Sequence, residues 1–201
     1  MNRPPVLVIA LATAFVLLVA ALLIGSFTQP EFPPYALTAA PARPPRVGDS
    51  LVGPATYTLD ASAGDRWRTF DFGRNAAVDS GSWDLAFRRH HVIAAPAPSA
   101  GVVDLGAVAF DSVREVPTTG YAATQLRGDT VNPAVGKWYA YSMLSHLLTS
   151  KGHVYAVRTA DGRYAKLQIL AYYCRDVGAA CYTFRYAFQG DGSRRVAAPF
   201  R

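Results

Sequence analysis

An all-β domain, antiparallel and meander-like or sandwich-like, carried on one N-terminal transmembrane helix, is the architecture this sequence predicts. Three observations lead there. Residues 6–25 (VLVIALATAFVLLVAALLIG) run for twenty positions without a charge, and at about 1.5 Å per residue they span a hydrocarbon layer of about 30 Å. In GHVYAVRTADGRYAKLQILAYYC two β-branched and aromatic runs flank Asp161-Gly162, the strongest short-range signal for a hairpin. The chain has 201 residues, 51% of them apolar, enough for one packed core.

Residues 1–5 read as a short cytoplasmic N-terminus and 6–27 as the membrane helix. A cleaved signal peptide is the competing reading, because Arg3 precedes the apolar run and Ala39, Ala40 and Ala42 lie downstream. Signal h-regions span roughly 7 to 15 residues, and no small-x-small site follows this run directly, so a retained anchor is expected. Beyond the helix come Glu31 and no Lys or Arg until Arg43. That asymmetry predicts a single-pass protein of the bacterial inner membrane, its C-terminal domain periplasmic. At 100° per residue Ala10, Ala14, Ala21 and Gly25 fall within about 60° of one another. They form a narrow small-residue face that another helix or a flat pigment can approach in lipid.

Residues 28–49 carry six prolines, at 30, 33, 34, 41, 44 and 45, and predict an extended, semi-rigid linker. The β-rich periplasmic domain is then 50–201. Its clearest part is a meander at 153–159, 163–173 and 181–189. Shorter strands are expected at 67–72, 83–93 and 102–110. KWYAYSMLSHLLTS (137–150) is ambiguous: Trp138, Tyr139 and Tyr141 favour a strand, whereas Leu144, Leu147 and Leu148 fit a short helix. Cys174 and Cys181 sit at the second turn of the meander, where an oxidising compartment lets them pair; two unpaired buried thiols are the alternative.

The stretch SGSWDLAFRRHHVIAA (80–95) places two histidines side by side. Read as one strand, it puts Trp83, Leu85, Phe87, Arg89, His91 and Ile93 on one face and Asp84, Ala86, Arg88 and His90 on the other. Adjacent histidines on opposite faces do not share an ion, so no metal site is expected. His91 then belongs at the edge of the core and His90 in solvent. Two imidazoles brought together by folding can hold a heme, and His91 with His146 is the pair to test, with Met143 a soft axial ligand and His153 the remaining imidazole. No cofactor is required by this reading; heme is the one these side chains allow.

The formal net charge is +6, and the basic residues are scattered rather than clustered, which argues against nucleic acid as partner. H-E-x-x-H, G-x-S-x-G, P-loop, G-x-G-x-x-G and C-x-x-C signatures are all absent, so no enzyme is predicted and no catalytic residue is named.

SWDLAFRRHHVIA, VVDLGAVAFDSV, NPAVGKWYAYSMLSHLLTSKGHVYAVRTADGRYAKLQILAYYC and TFRYAFQGDGS together resemble the HmuY-like family of exported bacterial domains over about residues 50–195. W-D-x-x-F and Y-x-K-L-x-x-x-x-Y carry the likeness. It implies an all-β domain with few helices, in a family named for hemophores that bind heme through loop side chains and in which many relatives have no established ligand. Two functions follow. The first is a non-catalytic accessory subunit that stabilises a larger membrane complex, photosynthetic or respiratory, with other integral membrane subunits and the bilayer as partners and a pigment or heme against the helix face. The alternative is a membrane-tethered heme-binding protein.

Overall fold

The structure, a computed structural model, describes residues 5–28, 31–125 and 130–198. Arg3, on which the expected orientation rests, and Pro30 lie outside them. Among the described residues one α-helix and eleven strands follow in order: α1 (Val6–Phe27), β1 (Leu51–Asp60), β2 (Arg68–Asp71), β3 (Ala76–Val78), β4 (Leu85–Arg88), β5 (His91–Ala94), β6 (Gly101–Asp104), β7 (Tyr139–Tyr141), β8 (Leu148–Ser150), β9 (Val154–Arg158), β10 (Tyr164–Cys174) and β11 (Gly178–Gln189), with 3-10 turns at Phe72–Arg74 and Phe110–Ser112. The chain divides into two compact units, Met1–Glu31 with Ala140–Thr149, and Phe32–Tyr139 with Ser150–Arg201.

In the first unit, α1 is 22 residues long and none of its residues is buried. Its length and composition suffice to cross a membrane. The ambiguous segment resolves as an antiparallel ribbon of β7 and β8 rather than a helix. His146 adopts φ 56°, a left-handed conformation that breaks any helix through Leu144 and Leu148. Such a helix would also be too short to sustain itself.

The second unit, the body, is a sandwich of two antiparallel sheets. The larger has the order β1-β11-β10-β9-β6 and the smaller β3-β2-β4-β5. β11 reads GAACYTFRYAFQ, and the period-two alternation of a strand turns Tyr182, Phe184, Tyr186 and Phe188 to one side. Against them the smaller sheet lays Phe70, Phe72 and Phe87. Phe70 meets Phe184 edge-on at 5.2 Å, Phe87 stacks on Phe184 at 5.4 Å, and Phe72 stacks on Phe188 at 6.2 Å. Phe70, Phe72, Phe87, Phe184 and Phe188 are wholly inaccessible to solvent.

The opposite face of the larger sheet is covered as well. Phe110 packs on Val154 and Ala187, and Val116 and Val196 on Ala156. Lys166 of β10 points into this layer with 1% exposure. Its Nζ donates to the Phe110 and Val113 carbonyls at 2.8 and 2.7 Å and lies 4.3 Å from the Phe110 ring centre. Burial lowers its pKa, and the two carbonyls give the buried ammonium its partners. The lysine of the Y-x-K-L motif is therefore a clasp between the sheet and the 110–113 segment.

The Asp161-Gly162 turn forms as expected, with Gly162 at φ 85° and Thr159 Oγ1 and the Arg163 guanidinium both donating to the Asp161 carboxylate. Cys174 and Cys181 are bonded to each other. The segment expected as a spacer is laid on the body from Phe32 onward. Phe32 stacks on Tyr173 at 4.9 Å, Thr38 exchanges two 2.9 Å hydrogen bonds with Thr58, and Val47 N donates to the Gly73 carbonyl at 2.7 Å.

One reading needs correction. Residues 83–93 are not a single strand but β4 and β5 joined by a two-residue turn at Arg89 and His90, with Arg88 opposite His91. Arg89 sits at φ 52°, the left-handed conformation a tight hairpin turn requires. The face assignment fails with it: Leu85, Ala86 and Phe87 are all buried, because both faces of β4 are covered.

Phe87→Ala should destabilise the chain by about 3 to 5 kcal/mol, read from urea unfolding in detergent by near-UV circular dichroism, and His90→Ala by clearly less, because its half-buried ring gives up far less apolar burial. Alkylation without reductant should label no thiol. Reduction should lower stability by roughly 2 to 3 kcal/mol, since the bond closes only a short loop.

Candidate functional site: an imidazole turn and an arginine–tryptophan cleft

The β4–β5 turn is built into the body by three contacts. Arg89 N donates to the Ala61 carbonyl at 2.8 Å. The Trp138 indole donates through Nε1 to the His90 carbonyl at 3.0 Å; Trp138 is 1% exposed and packs on Tyr172 and Tyr182. The Arg88 guanidinium covers the Trp67 ring at 4.4 Å, a cation–π contact. These fix the backbone so that the His90 and His91 rings stand 4.0 Å apart, with Tyr139 edge-on to His90 at 5.7 Å. Both imidazoles are half-buried. For His90 this differs from the expected solvated position, because the turn folds it against Tyr139.

Beside this turn lies a cleft of about 870 Å³ at the edge of the sandwich, between β1 and the β2–β3 pair. Trp67, Trp83 and Leu59 give it apolar walls, and Arg66, Arg68, Asp60 and Asp79 line it with charge. Arg68 is held by Asp79 at 2.6 Å, while Arg66 is exposed. Tyr57 spans the two sheets here, its hydroxyl accepting the Ala77 N–H at 3.1 Å. The lining is aromatic and of mixed charge, with the exposed Arg66 as the cation that no salt bridge in the described residues engages.

The candidate heme ligands are divided between the units. His91 belongs to the body, and Met143 and His146 to the unit of α1. Met143 is 69% exposed, and His146 Nδ1 is hydrogen-bonded to the Tyr141 hydroxyl. His153 is held by the Asp104 carboxylate at 2.9 Å. His90 and His91 do not fit an iron porphyrin between them: their rings are at contact distance, with no room for a macrocycle. Among the described residues no group of three or more His, Cys, Asp or Glu side chains is placed to hold a metal ion. The cleft, with its tryptophans and Arg66, is not foreseen by the sequence reading. The local signal that could have found it is D-R-W-R (65–68) directly before a strand.

Asp84, of the W-D-x-x-F motif, is 5% exposed. Its two oxygens accept the Phe72 N–H at 2.8 Å and the Ala160 N–H at 2.9 Å, so one carboxyl joins the smaller sheet to the β9–β10 turn. Burial pushes its pKa up to about 7, with Asp71 and Asp161 adding to the rise against the lowering by the two N–H groups. A displaced carboxyl of this kind marks many catalytic sites, but both oxygens of this one are engaged by backbone and its role is structural.

In these elements the chain has the architecture of an antiparallel β-sandwich domain. A family model described as HmuY protein matches residues 63–186, more than half the chain, and the chain belongs to that family. Solved structures agree on the fold. The apo HmuY analog of Tannerella forsythia is 16% identical with a TM-score of 0.56, over 71% of this chain and 98% of that one. Apo PinO from Porphyromonas is 15% identical with a TM-score of 0.56, over 70% and 97%. A Bacteroides vulgatus protein described as HmuY-like and heme-binding is 21% identical with a TM-score of 0.53, over 65% and 89%. No curated protein matches.

Asp84 generates a pH dependence. Its folded pKa lies above the ordinary carboxyl value of about 3.9, so its stabilisation is full below about pH 4 and is lost as the pH rises toward 7. Asp161 titrates outside that window: although burial raises it, the bonds from Arg163 and Thr159 hold it at about 2. Urea midpoints should fall between pH 4 and pH 7. Asp84→Asn should flatten this slope at lower overall stability, since its amide turns one NH2 toward a backbone N–H.

Proposed function

We propose that this chain is a non-catalytic, single-pass membrane protein whose exported HmuY-family body serves as an accessory subunit of a larger membrane assembly. One observation carries the reading: the chain passes between the helical unit and the body at three places, 31/32, 139/140 and 149/150. A carrier that must collect and hand over cargo is served by a long, free tether. Here the proline-rich segment is fastened to the body by the contacts of Phe32 with Tyr173, Thr38 with Thr58 and Val47 with Gly73. The uniformly apolar α1 and the absence of any catalytic signature in the sequence support the same reading.

Heme binding is the second reading, favoured by the description of the Bacteroides vulgatus relative as heme-binding and by the half-buried imidazole turn. The geometry of the body limits it, because His90 and His91 cannot bracket a heme between them, and coordination by His91 would need a second ligand.

The accessory reading predicts that the purified chain titrated with hemin develops no saturable one-to-one Soret band. A stoichiometric band lost in His91→Ala and His146→Ala would overturn it in favour of the second. It also predicts that Ala14→Leu with Ala21→Leu leaves the chain membrane-bound and folded, yet strips co-purifying membrane subunits from it in mild detergent. Undiminished co-purification of the double variant would remove the helix face from the interface.

A further inference from the structure

The tip of the β7–β8 ribbon has the make-up of a membrane-contacting loop. Residues 140–149 (AYSMLSHLLT) contain no Asp, Glu, Lys or Arg and share a compact unit with α1. The two meet at Gly25, where a Cβ would stand 2.5 Å from the Leu144 carbonyl oxygen and 3.5 Å from Leu144 Cβ. Gly25 lies two residues before the end of α1 at Phe27. The tip therefore rests on the last turn of the helix, at the level where a spanning helix leaves the hydrocarbon.

Several polar groups at this junction are bonded within it. Ser142 N donates to the Leu147 carbonyl at 2.9 Å and His146 N to the Ser142 carbonyl at 2.9 Å. Ser145 N donates to Ser142 Oγ at 3.2 Å, and the Tyr141 hydroxyl is bonded to His146 Nδ1. On the helix, Ser26 Oγ and Thr28 Oγ1 donate back to the Leu22 and Ile24 carbonyls at 2.9 and 2.7 Å. The large side chains turned outward are Met143, 69% exposed, Leu144 55%, Tyr141 49% and Phe27 83%, with His146 and Thr149 exposed beside them. A loop that bonds several of its own polar groups and turns Tyr141, Met143 and Leu144 outward suits the edge of a bilayer, where unpaired polar groups are costly. In sequence the segment is bracketed by Lys137 and Lys151, the cationic flanks usual at an interface.

We propose that the 141–147 tip is a second membrane contact, with Tyr141, Met143 and Leu144 entering the lipid interface beside the end of α1. The proposal rests on the reading of α1 as a membrane-spanning helix. It changes what the small-residue face of α1 offers: Gly25 is taken by the chain's own tip, and Ala10, Ala14 and Ala21 remain for another helix.

The test uses the full chain in phospholipid vesicles. With Cys174 and Cys181 bonded, a nitroxide can be placed at single introduced thiols: Met143→Cys and Leu144→Cys in the tip, Val16→Cys in mid-helix, and Ser80→Cys on the exposed surface of the body. Collision with oxygen, which concentrates in lipid, is compared with collision with a water-soluble nickel chelate. Labels at 143 and 144 should favour oxygen severalfold over the chelate, in the direction of Val16 and opposite to Ser80. Gly25→Leu should move the Met143 label toward the chelate and leave Val16 unchanged. If 143 and 144 follow Ser80 while Val16 follows lipid, the tip proposal is overturned and the anchor stands. If Val16 is itself accessible to the chelate, the spanning reading fails. Labels at 143 and 144 shielded from both probes would place the tip against protein, which also overturns insertion.

Discussion

The body depends on one contact layer, the aromatic faces of β11 and of the smaller sheet. Two sheets pack at fixed separation only if the side chains between them interdigitate without voids. Here Phe184 alone meets Tyr57, Phe70, Phe87 and Tyr186. Because β4 and β2 are carried by Phe87 and Phe70, the position of the β4–β5 turn, and so of His90 and His91, is set by this layer. The cleft wall at Trp67 and Trp83 follows, each tryptophan adjoining a strand of the same sheet.

Two buried charged groups complete the arrangement, each by binding backbone rather than an opposite charge. Lys166 closes the 110–113 segment over the outer face of the larger sheet, and Asp84 closes the β9–β10 turn and the Phe72 N–H against the smaller one. Truncating either would leave buried carbonyls or N–H groups without partners, the costly side of hydrogen-bond exchange. Asp84 of W-D-x-x-F and Lys166 of Y-x-K-L thus serve the fold in this chain.

Much of the architecture is legible in the sequence, for reasons that are local. The Asp161-Gly162 hairpin needs one left-handed residue and supplies glycine; α1 needs uninterrupted apolar length and has it. β1 is hidden because Gly53-Pro54 reads as a break, whereas the strand absorbs both in an irregularity between Val52 and Ala55. β3 has three residues, too few for a periodic signal. The β4–β5 turn is hidden because R-R-H-H lacks the Asn or Gly that marks tight turns, and Arg89 takes the left-handed conformation without being the favoured residue for it. Of the site, the histidines are visible as residues but their placement is not: His90 and His91 share a turn, and His146 and Met143 belong to a different unit from His91. The cleft depends on contacts between segments distant in sequence, which no local pattern announces.

The proposed function rests on the apolar helix α1, the linker fastened to the body and the HmuY-family sandwich. The most direct test is native mass spectrometry of assemblies released from the chain's own membranes. The account predicts that the chain appears in fixed stoichiometry with other integral membrane polypeptides; a bare chain, or one carrying only a heme, would contradict it.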